Sequence, residues 1–145
     1  MFTNTYLFPD VNVWLALAHE IHPQHRVAIE WDESLDSGTI LSFCRFTQLG
    51  LLRLLTNPSA MGTDALTQSK AWAVYDAFLR TNRARLIEEP RGIESIFRQY
   101  TNRNEVSTKQ WADGYLSAFA LASSMPIVTF DRALAGKVKG AVLLG

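Results

Sequence analysis

Short apolar runs alternate along this chain with longer stretches whose apolar residues recur every third or fourth position. That is the pattern of strands interleaved with amphipathic helices. Tyr6-Leu7-Phe8 reads as a first strand ending at Pro9-Asp10, and Asn12 as the N-cap of a helix carrying Trp14, Leu15, Leu17 and Ala18. Pro23 opens a second helix, with Val27, Ala28 and Trp31 on one face, which stops before Gly38. Thr39–Phe43 is a second strand, and Arg45–Leu55 an apolar helix closed by Asn57-Pro58. Asp64–Arg80 has the stripe of an amphipathic helix in Ala71, Val74, Tyr75 and Phe78. Arg85–Glu88 follows as a short strand and Ile93–Tyr100 as a helix. Ser107 caps a helix over Thr108–Ser123, apolar almost all round between Tyr115 and Ala122, which predicts burial inside the domain. Ile127–Phe130 is a strand ending at Asp131, Arg132-Ala133-Leu134 a short helix, and Ala141–Leu144 a last strand. The alternation predicts an α/β fold with a mostly parallel sheet.

Composition narrows the picture. With 145 residues the chain has the length of one domain, spanning 1–145, and 48% hydrophobic residues are enough for a core. Fourteen basic and fourteen acidic residues give a formal net charge of zero, so any nucleic-acid contact must rest on local patches. A neutral chain is also prone to self-association or to holding a partner. Cys44 is the single cysteine, which excludes an intrachain disulfide and a thiolate metal cluster and leaves a buried thiol. Met1 to Pro9 lacks the basic start and apolar stretch of a secretion signal, and no apolar run approaches the ~18 residues of a membrane span. The expectation is a cytoplasmic protein.

Three aspartates stand out. In a parallel α/β sheet, sites form in the crevice at the carboxyl ends of the strands, where Asp10 and Asp131 fall. Asp113 lies near the start of the apolar helix, towards the positive end of its dipole. Clustered carboxylates repel unless a cation joins them, and Mg²⁺ or Mn²⁺ suits an all-oxygen donor set. Such an ion activates water for phosphodiester hydrolysis. Each acid also has a purely structural reading: Asp10 and Asp131 as helix caps, Asp113 as a first-turn acid or a partner of Lys109 four residues back.

Other groups point less far. His19, His22 and His25 are spaced by three, but Pro23 interrupts any common helix and no fourth ligand is evident, so a loop of partly exposed histidines is expected rather than zinc. Trp14, Trp31, Trp72 and Trp111 fall on apolar helical faces and are expected in the core, with base stacking an option for one at most. Arg45, Arg53, Arg103, Lys109 and Arg132 flank the acidic positions and either steer phosphates or are solvated surface charge. Asp32 to Asp36 reads as a solvated helix end.

Four segments, Phe8-Pro9-Asp10-Val11-Asn12-Val13-Trp14-Leu15, Phe43-Cys44-Arg45-Phe46-Thr47-Gln48-Leu49, Trp111-Ala112-Asp113-Gly114-Tyr115-Leu116 and Val128-Thr129-Phe130-Asp131-Arg132, resemble in order the motifs of the PIN-domain family, and of its VapC-like ribonuclease toxins in particular. The resemblance covers nearly the whole chain. It implies a three-layer α/β/α sandwich and Mg²⁺- or Mn²⁺-dependent endoribonuclease activity, with Asp10, Asp113 and Asp131 as metal ligands. Thr129 and Asn12 would hold carboxylates or water in place. It further implies an RNA substrate, a cognate antitoxin protein and a homodimer. One position departs: the family usually has glutamate where this chain has Gln48, which leaves an accessory role and should weaken metal affinity. The alternative is a PIN-like binding module with weakened chemistry, serving in protein or RNA interaction. A hydrolase with Asp10 as nucleophile would want a second acid two residues on, where Asn12 stands.

Overall fold

The structure, a computed structural model, describes residues 5–145. The part of the Met1–Pro9 leader reading that falls on residues 1–4 lies outside them. Strand β1 (Thr5–Pro9) leads into α1 (Val11–Ala18) and α2 (His25–Glu33), and β2 (Thr39–Phe43) into α3 (Arg45–Leu55) and the short α4 (Pro58–Met61). A 3₁₀ turn at Gly62–Asp64 precedes α5 (Gln68–Arg80), β3 (Ala84–Leu86), α6 (Ile93–Thr101) and α7 (Lys109–Ala122). The chain closes with β4 (Ile127–Thr129), α8 (Arg132–Ala135) and β5 (Val142–Leu143).

The strands form one parallel sheet in the order β3-β2-β1-β4-β5. The chain builds outward from β1 to β3, then crosses back to lay β4 on β1's other side. Such a reversal opens a crevice between β1 and β4 at their carboxyl ends. Alternation along the strands feeds two cores, as a three-layer α/β/α sandwich requires. Leu7, Leu41, Phe43 and Val128 face Trp14, Leu51 and Tyr75 on one side. Phe8 and Ile127 face Leu116, Phe119 and Ile93 on the other. Trp14 stacks on Phe43 with ring centres 3.7 Å apart, and Phe8 on Phe119 at 4.9 Å. α7 is buried along Leu116–Ala120, as its sequence anticipates.

The structure redraws several details. Helix α1 is capped by Asp10 rather than Asn12, because Asp10 Oδ1 reaches the Val13 N–H at 3.2 Å. Helix α5 begins at Gln68, not Asp64: Gly62 turns the chain with φ 58°, and the Thr67 hydroxyl accepts from the Lys70 N–H. The N-cap of α7 is Thr108, with the Ser107 hydroxyl accepting from the Gln110 N–H at 3.4 Å. Trp14 is fully buried, but Trp72 and Trp111 are 46% and 59% exposed, so these two do not belong to the core. The helix end at Asp32 is not simply solvated, since Arg83 holds its carboxylate at 3.0 Å and also reaches the carbonyls of Leu35 and Asp36.

Candidate functional site

The β1–β4 pairing sets the site. Pro9 is in register with Val128, and the Asp10 N–H donates to the Val128 carbonyl at 2.9 Å, so Asp10 and Thr129 emerge side by side where the strands end. Thr129, fully buried, donates its hydroxyl to Asp10 Oδ2 at 2.5 Å and accepts from the Asp131 N–H at 2.9 Å. One hydroxyl thereby fixes both strand-end acids. Each acid also caps a helix: Asp10 Oδ1 caps α1, and Asp131 Oδ1 accepts from the N–H groups of Ala133 and Leu134 at 2.9 and 3.2 Å on α8. The structural and chemical readings of these residues are compatible: Asp131 spends one oxygen on the fold, and Asp10 spends Oδ1 on α1 and shares Oδ2 with the Thr129 hydroxyl.

Asp113 enters from α7 as a buried carboxylate. It meets Asp131 through Lys109, whose Nζ lies 2.9 Å from Asp131 Oδ2 and 3.5 Å from Asp113 Oδ2. The i,i+4 spacing of Lys109 and Asp113 puts them on one helical face. The contact with Asp131, 22 residues away, is made by the fold. Burial raises the pKa of Asp10 despite the Thr129 hydrogen bond, and the neighbouring Asp131 charge adds to the rise. Lys109 holds Asp131 below the usual carboxylate range, and the two acids in turn raise the ammonium's pKa.

The side chains of the remaining predicted residues make no hydrogen bond to the aspartates among the described residues. Asn12 is exposed on the first turn of α1, and its backbone rather than its side chain serves Asp10. Gln48 is buried on α3, where its side-chain oxygen accepts from the Arg45 guanidinium at 2.6 Å and the Tyr75 hydroxyl lies beside it without a well-formed hydrogen bond. No hydrogen bond among the described residues joins Gln48 to the aspartates. Glu89, which the sequence did not single out, follows β3 and accepts from the Tyr115 hydroxyl at 2.6 Å. An acid just past a strand was the available signal. The His25 ring sits 2.6 Å from the Ala16 carbonyl, and His22 Nδ1 accepts from the Gln24 N–H at 3.0 Å, so both rings serve their loop.

Among the described residues, no three acidic, histidine or cysteine side chains form a ready-made metal cage. The acids are linked in pairs instead, one pair through Thr129 and one through Lys109. Their donor chemistry does fit a hard divalent ion: carboxylate oxygens, two of the three residues buried, with Asp113 and Asp131 converging on a cationic group.

Comparison with known proteins identifies the family and the fold. The PIN domain model matches residues 7–139. Ribonuclease VapC41 of Mycobacterium tuberculosis is 43% identical over 131 residues, which cover 88% of this chain and 90% of that one. Among solved structures, Mycobacterium tuberculosis VapC20, described as a sarcin-ricin loop cleaving toxin, superposes with a TM-score of 0.64 at 16% identity, covering 90% of this chain and 93% of that one. Rickettsia felis VapBC2, bound to a DNA fragment from its promoter, gives 0.68 at 10% identity, covering 96% and 97%. At these identities the two structures speak for the fold alone. The family model and the VapC41 relative go further: this chain belongs to the PIN-domain family, as a VapC-like member of it.

Proposed function

We propose that the protein is a divalent-metal-dependent endoribonuclease that acts as the toxin of a toxin–antitoxin pair. The observation that carries this reading is the linked set Asp10–Thr129–Asp131–Lys109–Asp113, gathered at the switch point of the sheet. Asp10, Asp113 and Asp131 would hold Mg²⁺ or Mn²⁺, which when bound supplies an activated water and charge stabilisation at phosphorus. The chain's own groups do the positioning. Thr129 aims Asp10 Oδ2, and the backbone of α8 fixes Asp131 so that Oδ2 faces the crevice. A groove of about 870 Å³ between α6 and the start of α7 includes Arg103 and the exposed Trp111, which suit a phosphate and a base of an RNA strand, beside Arg98 paired with Glu94.

VapC41 carries the name ribonuclease, and the Rickettsia felis structure is of a VapBC complex; both support an RNA substrate and an antitoxin partner here. Exposed Phe46, Leu49 and Leu121 offer apolar surface for that partner or for a second copy of the chain. Among the described residues no helix is long and apolar enough to cross a membrane, and we place the protein in the cytoplasm, where its RNA would be.

The test is cleavage of RNA in Mg²⁺ or Mn²⁺ by wild type and by Asp113→Asn. Loss of one ligand should cost on the order of 100-fold or more in rate, and chelation should abolish cleavage. Equal cutting by both proteins, or indifference to chelator, ends this reading. The alternative, a binding module with weakened chemistry, draws on the engagement of Gln48 with Arg45 rather than with the aspartates. A gain of cleavage in Gln48→Glu would place that residue at the chemistry, and no change would make it a bystander.

A further inference from the structure

Lys109 stands where a cation serves two of the three aspartates at once. Asp131 has committed Oδ1 to the N–H groups of α8, which leaves Oδ2 as its one oxygen free for an ion, and Lys109 takes that atom. The Asp113 oxygen that Lys109 approaches is likewise Oδ2. An ion bound by Asp131 would need that same oxygen, and one joining it to Asp113 would enter the space the ammonium occupies between them. The two sides of the contact differ in freedom: the Asp113 side chain is 9% exposed and that of Asp131 34% but tied to α8, while that of Lys109 is 61% exposed at the first residue of α7. The carboxylates are held by the fold, and the lysine reaches them from solvent on a flexible four-carbon stem.

We propose that Lys109 is a positioning residue that competes with the divalent ion for Oδ2 of Asp113 and Oδ2 of Asp131, so that metal enters by displacing the ammonium group. This rests on the reading of those residues as metal ligands and adds a competitor to it. Its consequence is an acidic site that is partly neutralised by its own chain: repulsion between Asp113 and Asp131 is offset without metal, and metal affinity is held down.

The experiment is a calorimetric titration of the full chain with Mn²⁺, beside thermal melts with and without the ion. Four proteins are compared: wild type, Lys109→Met, Lys137→Met and Asp113→Asn. Lys137 is the control for bulk charge, since its ammonium donates to Gln110 and touches no aspartate. An exposed pair made with two acids corresponds to Mn²⁺ binding about five- to tenfold tighter in Lys109→Met. Lys137→Met should stay within about twofold of wild type, as expected of a more distant, solvent-screened charge. Lys109→Met should also melt lower than wild type without metal and gain more from Mn²⁺. The proposal is overturned if Lys109→Met binds Mn²⁺ no more tightly than wild type, or if Lys137→Met tightens binding equally. When wild type binds Mn²⁺ and Asp113→Asn does not, either result removes the competition alone. Absence of Mn²⁺ binding in both wild type and Lys109→Met, or undiminished binding in Asp113→Asn, removes the metal reading and the competition together.

Discussion

Replacing Thr129 by valine isolates the hydroxyl that joins the two strand-end acids. Valine keeps the shape of a fully buried side chain but neither donates to Asp10 Oδ2 nor accepts from the Asp131 N–H. A hydrogen bond to a charged group contributes about 1.5–3 kcal/mol, and the half-buried Asp131 N–H left without a partner costs up to about 1 kcal/mol more. With partial relaxation, the expected loss is about 2–4 kcal/mol, or about 5–15 °C in Tm at this chain length. Thr129→Ser is the comparison, since it retains the hydroxyl and gives up one methyl group, for about 1 kcal/mol. Urea melts of the three proteins, monitored by far-UV circular dichroism, measure the difference. Because the hydroxyl also aims a proposed metal ligand, Thr129→Val should lose about 10–100-fold in Mn²⁺ affinity. Valine and serine variants of equal stability would show that the hydroxyl bridge contributes nothing, and the account of how the acids are held would have to be abandoned.

Three further outcomes can be checked. A Cβ at Gly114 would lie 2.3 Å from Thr101 Cγ2, whose rotamer is fixed by a hydrogen bond from the Thr101 hydroxyl to the Phe97 carbonyl; Gly114→Ala should therefore cost about 1–3 kcal/mol, and a Thr101→Ser background should remove most of that loss in a double-mutant cycle. Asp10 has a raised pKa through burial, so its contribution is fully present below about pH 4 and is lost as pH rises through the folded value; Asp10→Asn, which keeps an N-cap acceptor, should melt higher than wild type at pH 7 without metal, the gap closing towards pH 3. His22 has a pKa lowered by burial and by its two neighbouring histidines, and it accepts a hydrogen bond that only the neutral ring can take; its contribution is present above about pH 6.5 and fades as pH falls through the folded value, so Tm should decline less between pH 7 and 5 in His22→Gln.

How far the sequence could lead depends on the range of each interaction. Asp10 and Asp131 were legible because an apolar run followed at once by an acid and a helical pattern is a local signal. It carries the strand, its end and the cap together. The start of α5 was not legible, since both Asp64 and Thr67 are good caps and Ala65 and Leu66 continue the apolar stripe; the turn at Gly62 decides between them. The exposure of Trp72 and Trp111 depends on which helices lie opposite, which periodicity does not state. Lys109 was visible as a partner of Asp113 through its i,i+4 spacing, but its reach to Asp131 depends on α7 packing beside β4. The engagement of Gln48 by Arg45, three residues away on the same helix, is local, yet many arginine rotamers reach solvent equally well and spacing alone does not choose among them.

Because Asp10 and Thr129 leave neighbouring parallel strands in fixed register, their separation is governed by the spacing of a hydrogen-bonded ladder, about 4.8 Å. No surface loop has to fold correctly to set that distance. A slip of one residue between the strands would turn one of these side chains to the opposite face of the sheet, so the spacing is either kept or lost outright. The outer helices and their connections can thus diverge to suit different nucleic acids or inhibitors while this pair keeps its geometry, and a library randomised on the exterior should retain it in every member that still folds.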